Sequence, residues 1–140
     1  MLHPLEIYNE TTLEISEEYR DYPLPTLYGS LPEELRGVLY RNGPGRLAHH
    51  GYHYDHLFDG DGMVQRLSFD GKEVRYTNRY VRTEEFQKEE AAGRPLFRSF
   101  GTNLPGGLLK NAFRMHFKNT ANTHVLPTEA GLLALWEGGA

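Results

Sequence analysis

Cysteine is absent from this 140-residue chain, and disulfides, thiolate metal sites and thiol nucleophiles are excluded with it. That fits a cytosolic protein. Long apolar runs are missing too, since nothing approaches the roughly 20 residues that a membrane-spanning helix requires. The opening Met1-Leu2-His3-Pro4-Leu5-Glu6 has neither the positive start nor the apolar stretch of a secretory signal. No basic stripe exists: the net charge is -4 with both signs interspersed, so no nucleic-acid partner is expected. There is no Gly-x-Ser-x-Gly elbow and no phosphate loop.

What is plentiful points one way. Fifteen glycines, eight prolines, nine tyrosines and seven phenylalanines describe a turn-rich, aromatic, mainly β protein, of a length suited to one domain. Residues 1–30 mix charge with Pro23, Pro25 and Gly29 and read as an extended lead-in. Leu31-Pro32-Glu33-Glu34-Leu35-Arg36-Gly37 reads as one helical turn, with Pro32 at its start and Gly37 stopping it. Val38 to Asn42 begins a strand. Val64–Phe69 and Lys72–Thr83 are strands joined at Asp70-Gly71, whose composition suits a type I′ hairpin. Thr83 to Gly93 is a short helix with Thr83 as N-cap and Gly93 as stop. Leu96 to Phe100 reads as a strand, and Thr123–Leu126 with Leu132–Trp136 as a last hairpin turning through residues 127–131.

Three stretches bear on chemistry. Phe58-Asp59-Gly60-Asp61-Gly62-Met63 is a tight turn at the mouth of a strand. His49-His50-Gly51-Tyr52-His53-Tyr54-Asp55-His56 holds four histidines, which suits either a small metal site using His49, His50, His53 and His56 or a solvated polar loop. In a single strand His49, His53 and Asp55 share one face and His50 and His56 the other, which disfavours convergence. The apolar segment 101–118 places Leu108, Leu109, Ala112 and Phe113 on one helical face, and that face suits either the core or a lipid interface.

Taken in order, seven pieces resemble the amino-terminal portion of the carotenoid cleavage oxygenases. They are Leu31-Pro32-Glu33-Glu34-Leu35-Arg36-Gly37, Tyr40-Arg41-Asn42-Gly43-Pro44, Phe58-Asp59-Gly60-Asp61-Gly62-Met63, Asn78-Arg79-Tyr80-Val81-Arg82-Thr83, Phe100-Gly101-Thr102, Lys118-Asn119-Thr120-Ala121-Asn122-Thr123 and Leu135-Trp136-Glu137. The resemblance implies a seven-bladed β-propeller with short helical insertions, of which residues 31–140 form the first blade elements and leave the ring unclosed. It implies oxidative cleavage of a conjugated double bond of a carotenoid or apocarotenoid by O2 at a non-haem Fe(II). Four histidines hold that iron and glutamates behind them orient the imidazoles. Glu137 matches one of those glutamates. Phe58, Phe100 and Trp136 match aromatics lining the substrate tunnel, with plain core packing as the other reading of each.

Leu104, Leu108, Leu109, Phe113 and Phe117 match an apolar patch that docks on membranes, so a cytoplasmic protein with peripheral membrane contact is implied. The matching ligand histidines are expected beyond residue 140, so this chain is expected to carry no catalytic residue or metal ligand and to bind no iron unaided. The rival reading is a non-catalytic β-rich module that binds a lipophilic ligand or partner.

Overall fold

In the computed structural model, which describes residues 15, 17–49, 51–104 and 116–138, the chain is mainly β. In order come β1 (Tyr22–Leu24), β2 (Arg36–Arg46), β3 (Ala48–His49), β4 (Tyr52–His53), a 3-10 turn (Leu57–Asp59), β5 (Asp61–Asp70), β6 (Val74–Tyr80), helix α1 (Glu84–Ala92), β7 (His124–Thr128) and β8 (Gly131–Leu135). Four of the strands form an antiparallel sheet in the order β1-β6-β5-β2, while β3-β4 and β7-β8 are separate two-stranded ladders. These sheets are open.

The β5–β6 hairpin forms where the alternating pattern breaks, but its turn sits one residue later than Asp70-Gly71 suggests. Phe69 pairs with Val74, Gly71 has φ +82°, and Lys72 keeps a negative φ. The turn is therefore centred on Gly71-Lys72, and with positive φ at only one of its two central residues it is not type I′. Asp70 acts from the flank, its carboxylate accepting from the amides of Lys72 and Glu73, both at 2.8 Å. Those two amides hold its pKa below the ordinary aspartate value.

Other expectations are corrected by tertiary pairing. The lead-in is not wholly irregular, because Tyr22–Leu24 adds to the edge of β6, with Tyr22 opposite Tyr76. The Leu31–Gly37 stretch makes a turn, closed by Leu35 N–H to the Pro32 carbonyl at 3.0 Å, and β2 begins at Arg36. Leu96–Phe100 is no strand; it makes one isolated parallel bridge between Arg98 and Phe117. The last hairpin turns through Glu129-Ala130 alone, its strands running to Thr128 and from Gly131. Helix α1 matches its signals: Thr83 Oγ1 accepts from the Phe86 amide at 3.1 Å, and Gly93 closes the helix at φ +61°. The helical face proposed for Leu108, Leu109, Ala112 and Phe113 lies outside the described residues, as does His50.

At the centre the packing is charged. The largest fully buried side chains are Lys118, Met63, Glu89, Asn78, Asp59 and Asp61. The Lys118 ammonium lies 2.7 Å from Asp61, 2.8 Å from Glu89 and 2.6 Å from the Tyr54 hydroxyl. Arg46 reaches the other oxygen of Asp61 at 2.7 Å and Glu90 at 2.8 Å, its guanidinium 4.7 Å from the Phe86 ring. Buried charges persist only when paired and hydrogen-bonded in this way. The centre therefore binds β5, α1 and the 116–122 segment together.

Candidate functional site

β2 reaches the site through a bulge: its register with β5 shifts between Pro44 and Arg46, with Gly45 as the extra residue. A Cβ on Gly45 would stand 2.6 Å from the Met63 Cβ, so glycine is what lets the bulge press against the sheet. Beyond it, the 55–60 loop is held from below. The Asn122 side-chain amide donates to the carbonyls of Phe58 at 2.9 Å and Gly60 at 2.8 Å. Asn42 likewise donates to the carbonyls of Ala121 and His124.

Asp59 is fully buried and ties this loop to the 99–102 segment. Its carboxylate accepts from the Gly101 amide at 3.1 and 3.0 Å and from the Thr102 hydroxyl at 2.6 Å, and the same hydroxyl accepts from the Asp55 amide. Two segments more than 40 positions apart in the chain are thereby latched, and Phe58 and Phe100 stand beside each other's loops.

A cavity of about 530 Å³ opens here, lined by Leu57, Phe58, Phe100, Asn122, Trp136 and Glu137 among others. Phe58 is 61% and Phe100 83% exposed, so neither ring is core packing. Trp136 is half-buried, its indole folded over Gly138, where a Cβ would come within 2.6 Å of the ring. Glu137 is exposed at the rim. The three aromatics and the carboxylate singled out from sequence, residues 58 to 137, thus share one cavity, with apolar walls and a single acid. Flat rings around a space of this size suit a rigid apolar ligand.

The histidines do not gather. His49 and His53 lie in paired strands, His49 opposite Tyr52 and His53 opposite Ala48, so they face opposite ways. The strand of His49 and that of His53 run antiparallel to each other, which a single-strand reading cannot foresee. His49 is buried with Nδ1 3.5 Å from Glu90, His53 is exposed, and His56 caps the 3-10 turn, its Nδ1 accepting from the Phe58 amide at 3.2 Å. His116 sits 2.7 Å from Glu85, and His124 is exposed. Among the described residues no three His, Asp or Glu side chains converge as a metal site would require. The described residues do not by themselves fit a metal ligand set; Glu137 alone stands where a carboxylate could meet a ligand brought to the cavity.

Of the apolar patch, Leu104 is buried, and Phe117 is 41% exposed with the Arg98 guanidinium 4.8 Å from its ring; Leu108, Leu109 and Phe113 lie outside the described residues. No described helix is long and apolar enough to cross a membrane.

Sequence reasoning missed the buried ion centre of Lys118, Asp61, Glu89 and Tyr54. Burial works against the charge of Lys118, but Asp61, Tyr54 and Glu89 outweigh it and hold its pKa above the ordinary lysine value. Burial and then the Asp61 charge push the Tyr54 phenol up to about 12. The available signal was that Asp61 and Lys118 each sit inside a quoted motif while carrying charges a turn does not need.

Comparison with known proteins accords with this geometry. The family model described as RPE65, retinal pigment epithelial membrane protein, matches residues 12–140. The apocarotenoid-15,15′-oxygenase of Synechocystis sp. is 44% identical over 121 residues, covering 85% of this chain and 25% of that protein. The β,β-carotene 15,15′-dioxygenase of Gallus gallus is 32% identical, covering 81% and 22%. Resveratrol cleavage oxygenase 1 of Aspergillus fumigatus is 33% identical, covering 79% and 21%. A solved structure of a Synechocystis apocarotenoid oxygenase variant superposes with TM-score 0.88 at 39% identity, over 96% of this chain and 28% of that one. A cobalt-substituted form superposes with TM-score 0.89. The chain spans about a quarter of the length of these relatives. With seven motifs in order, the family model matched along most of the chain and the fold superposed, the chain belongs to the RPE65 family of carotenoid oxygenases.

Proposed function

We propose that this chain is the amino-terminal portion of an enzyme that cleaves a conjugated double bond of a carotenoid or apocarotenoid with O2 at a non-haem Fe(II) centre. In this reading the chain supplies the opening blades of a seven-bladed propeller and one wall of the substrate tunnel. The observation that carries it is the cavity where Phe58, Phe100, Trp136 and Glu137 meet. Iron, when held by imidazoles supplied from outside the described residues, would activate O2. This chain's residues bind and orient: the rings lie against the flat polyene, the apolar wall keeps water from it, and the Glu137 carboxylate accepts the N–H of an imidazole, fixing its tautomer. The exposed Phe117 and the 101–118 segment provide peripheral membrane contact from the cytoplasmic side.

Trp136 is the only tryptophan, so its fluorescence reports on the cavity directly. Titration with retinal should quench it saturably, and Phe100→Asp should weaken that binding about tenfold, the effect of losing roughly 1.4 kcal/mol of apolar and ring contact. Absence of saturable quenching by the unmodified chain would remove the tunnel reading. Retinal binding together with turnover by the chain alone would instead refute the view that this portion is inactive unaided. A non-catalytic lipophile-binding module would bind equally well, but joining the chain to further propeller blades would then yield no O2-dependent cleavage.

A further inference from the structure

One buried carboxylate stands behind both exposed rings of the cavity. Asp59 follows Phe58 in the chain, and it accepts from the amide of Gly101, which follows Phe100, at 3.1 and 3.0 Å and from the Thr102 hydroxyl at 2.6 Å. It is fully buried, and among the described residues no cation lies within ion-pair distance of it. A charge so placed costs more than the apolar residue a plain turn would accept, so its use lies in direction: hydrogen bonds hold two segments at a set distance where apolar contacts can slide. The backbones on either side have no slack. A Cβ on Gly60 would stand 2.6 Å from the Arg46 carbonyl oxygen, and one on Gly101 2.4 Å from the His56 Cβ. Asn122 holds the carbonyls of Phe58 and Gly60. The two rings themselves stay exposed, with edge-on contacts to the His56 ring at 5.0 Å from Phe58 and 6.1 Å from Phe100. Where they stand is therefore set from the backbone side, and the two backbones are joined at Asp59.

We propose that Asp59 is a positioning residue: acting through Gly101 and Thr102, it fixes the spacing of Phe58 and Phe100, so that a flat ligand meets two rings already in place. Walls set in advance lose no freedom when the ligand arrives, and a rigid ligand gains most from them because it too has little freedom to lose. This rests on the tunnel reading above and adds to it the device that spaces the tunnel wall. Asparagine cannot replace the carboxylate, because Thr102 Oγ1 already accepts the Asp55 amide and donates to Asp59. Either orientation of an amide at residue 59 sets an N–H donor against the Gly101 amide or against that hydroxyl.

The test uses the whole chain and two probes: retinal, followed by Trp136 quenching, and phytanal, a flexible saturated aldehyde of equal carbon number, followed by its displacement of retinal. Asp59→Asn should weaken retinal about fivefold, the scale of re-ordering one loosened side chain on binding, and phytanal less than about twofold. Thr102→Val, which removes one arm of the latch at nearly constant volume, should act in the same direction, and Thr102→Ser, which keeps the hydroxyl, should restore the retinal affinity that Thr102→Val loses. Lost stability alone would not change the ratio of the two affinities. A double-mutant cycle completes the test: in a Phe100→Leu background, Asp59→Asn should add little further loss, because the ring through which it acts is gone. An unchanged ratio of retinal to phytanal affinity in folded Asp59→Asn and Thr102→Val, or a penalty of full size in the Phe100→Leu background, overturns the proposal while leaving the tunnel intact. Failure of retinal to bind the unmodified chain overturns the tunnel reading and this one with it.

Discussion

Gly62 shows how much can rest on one absent methyl group. Its backbone amide donates to the Thr120 carbonyl at 2.8 Å, and a Cβ there would stand 2.3 Å from the Ala121 oxygen, a backbone atom that cannot step aside. Gly62→Ala should therefore cost about 1–3 kcal/mol in urea unfolding, the usual range for overpacking. Gly43→Ala, where nothing lies within 4 Å and φ is not positive, should leave the midpoint nearly unchanged.

Lys118 is the opposite case, a residue whose loss strands others. Lys118→Met leaves Asp61 and Glu89 buried against each other, and should destabilise by about 3–5 kcal/mol in the same measurement. The sign of the pH effect follows from the raised pKa values of Lys118 and Tyr54. Both groups stabilise the fold while protonated, so their contribution is fully present below pH 10 and is lost as pH rises. Stability should fall from pH 10 through about 12, where Tyr54 ionises in the folded chain, and continue falling above it. A flat profile across that range would contradict the buried pairing.

At the scale of the element, the short-range signals were well written where they were self-sufficient. Thr83, Gly93 and the acidic first turn specify α1 without help, because a cap and a left-handed stop act within a few residues. Thr83 also donates to the Asn119 carbonyl at 3.1 Å, tying the helix to the 116–122 segment. Thr83→Ala should cost about 1–2 kcal/mol, as caps with a second partner do, and Thr83→Ser should restore most of it in thermal unfolding. Signals failed where a partner strand decides. Leu96–Phe100 has strand composition, yet Glu89 takes the amides of Leu96 and Phe97 and the Ser99 amide closes a local turn onto the Thr102 carbonyl, so these backbone donors are spent away from any partner strand. The two-residue shift in the last hairpin has the same origin: pairing of Thr128 with Gly131 satisfies more of the ladder than the wider loop would.

Across the whole molecule, open edges and uncovered apolar groups dominate. Among the described residues β1 and β2 border the main sheet with one neighbour each, and β8 pairs with β7 alone. Leu27 is 93% and Tyr28 98% exposed, and Leu132, Leu133 and Leu135 stand out from β8. Such edges and faces invite further pairing. The chain by itself should self-associate as its concentration rises, by sedimentation velocity, and Leu133→Lys should reduce that association. A monomer at every concentration would argue that other parts of the chain already cover these surfaces.

The amino-acid order alone determined the class, the existence of the β5–β6 hairpin though not the register of its turn, helix α1 and the family, because turns, caps and motifs are carried by residues adjacent in the chain. It also named Phe58, Phe100, Trp136 and Glu137 one at a time. Only the tertiary structure brought those four to one cavity, turned His49 and His53 apart, and set Lys118 among Asp61, Glu89 and Tyr54. The physical reason is range: a buried charge or an aromatic lip is defined by partners 40 or more positions away, and the cost of leaving such groups unpaired is felt only once the chain has folded around them.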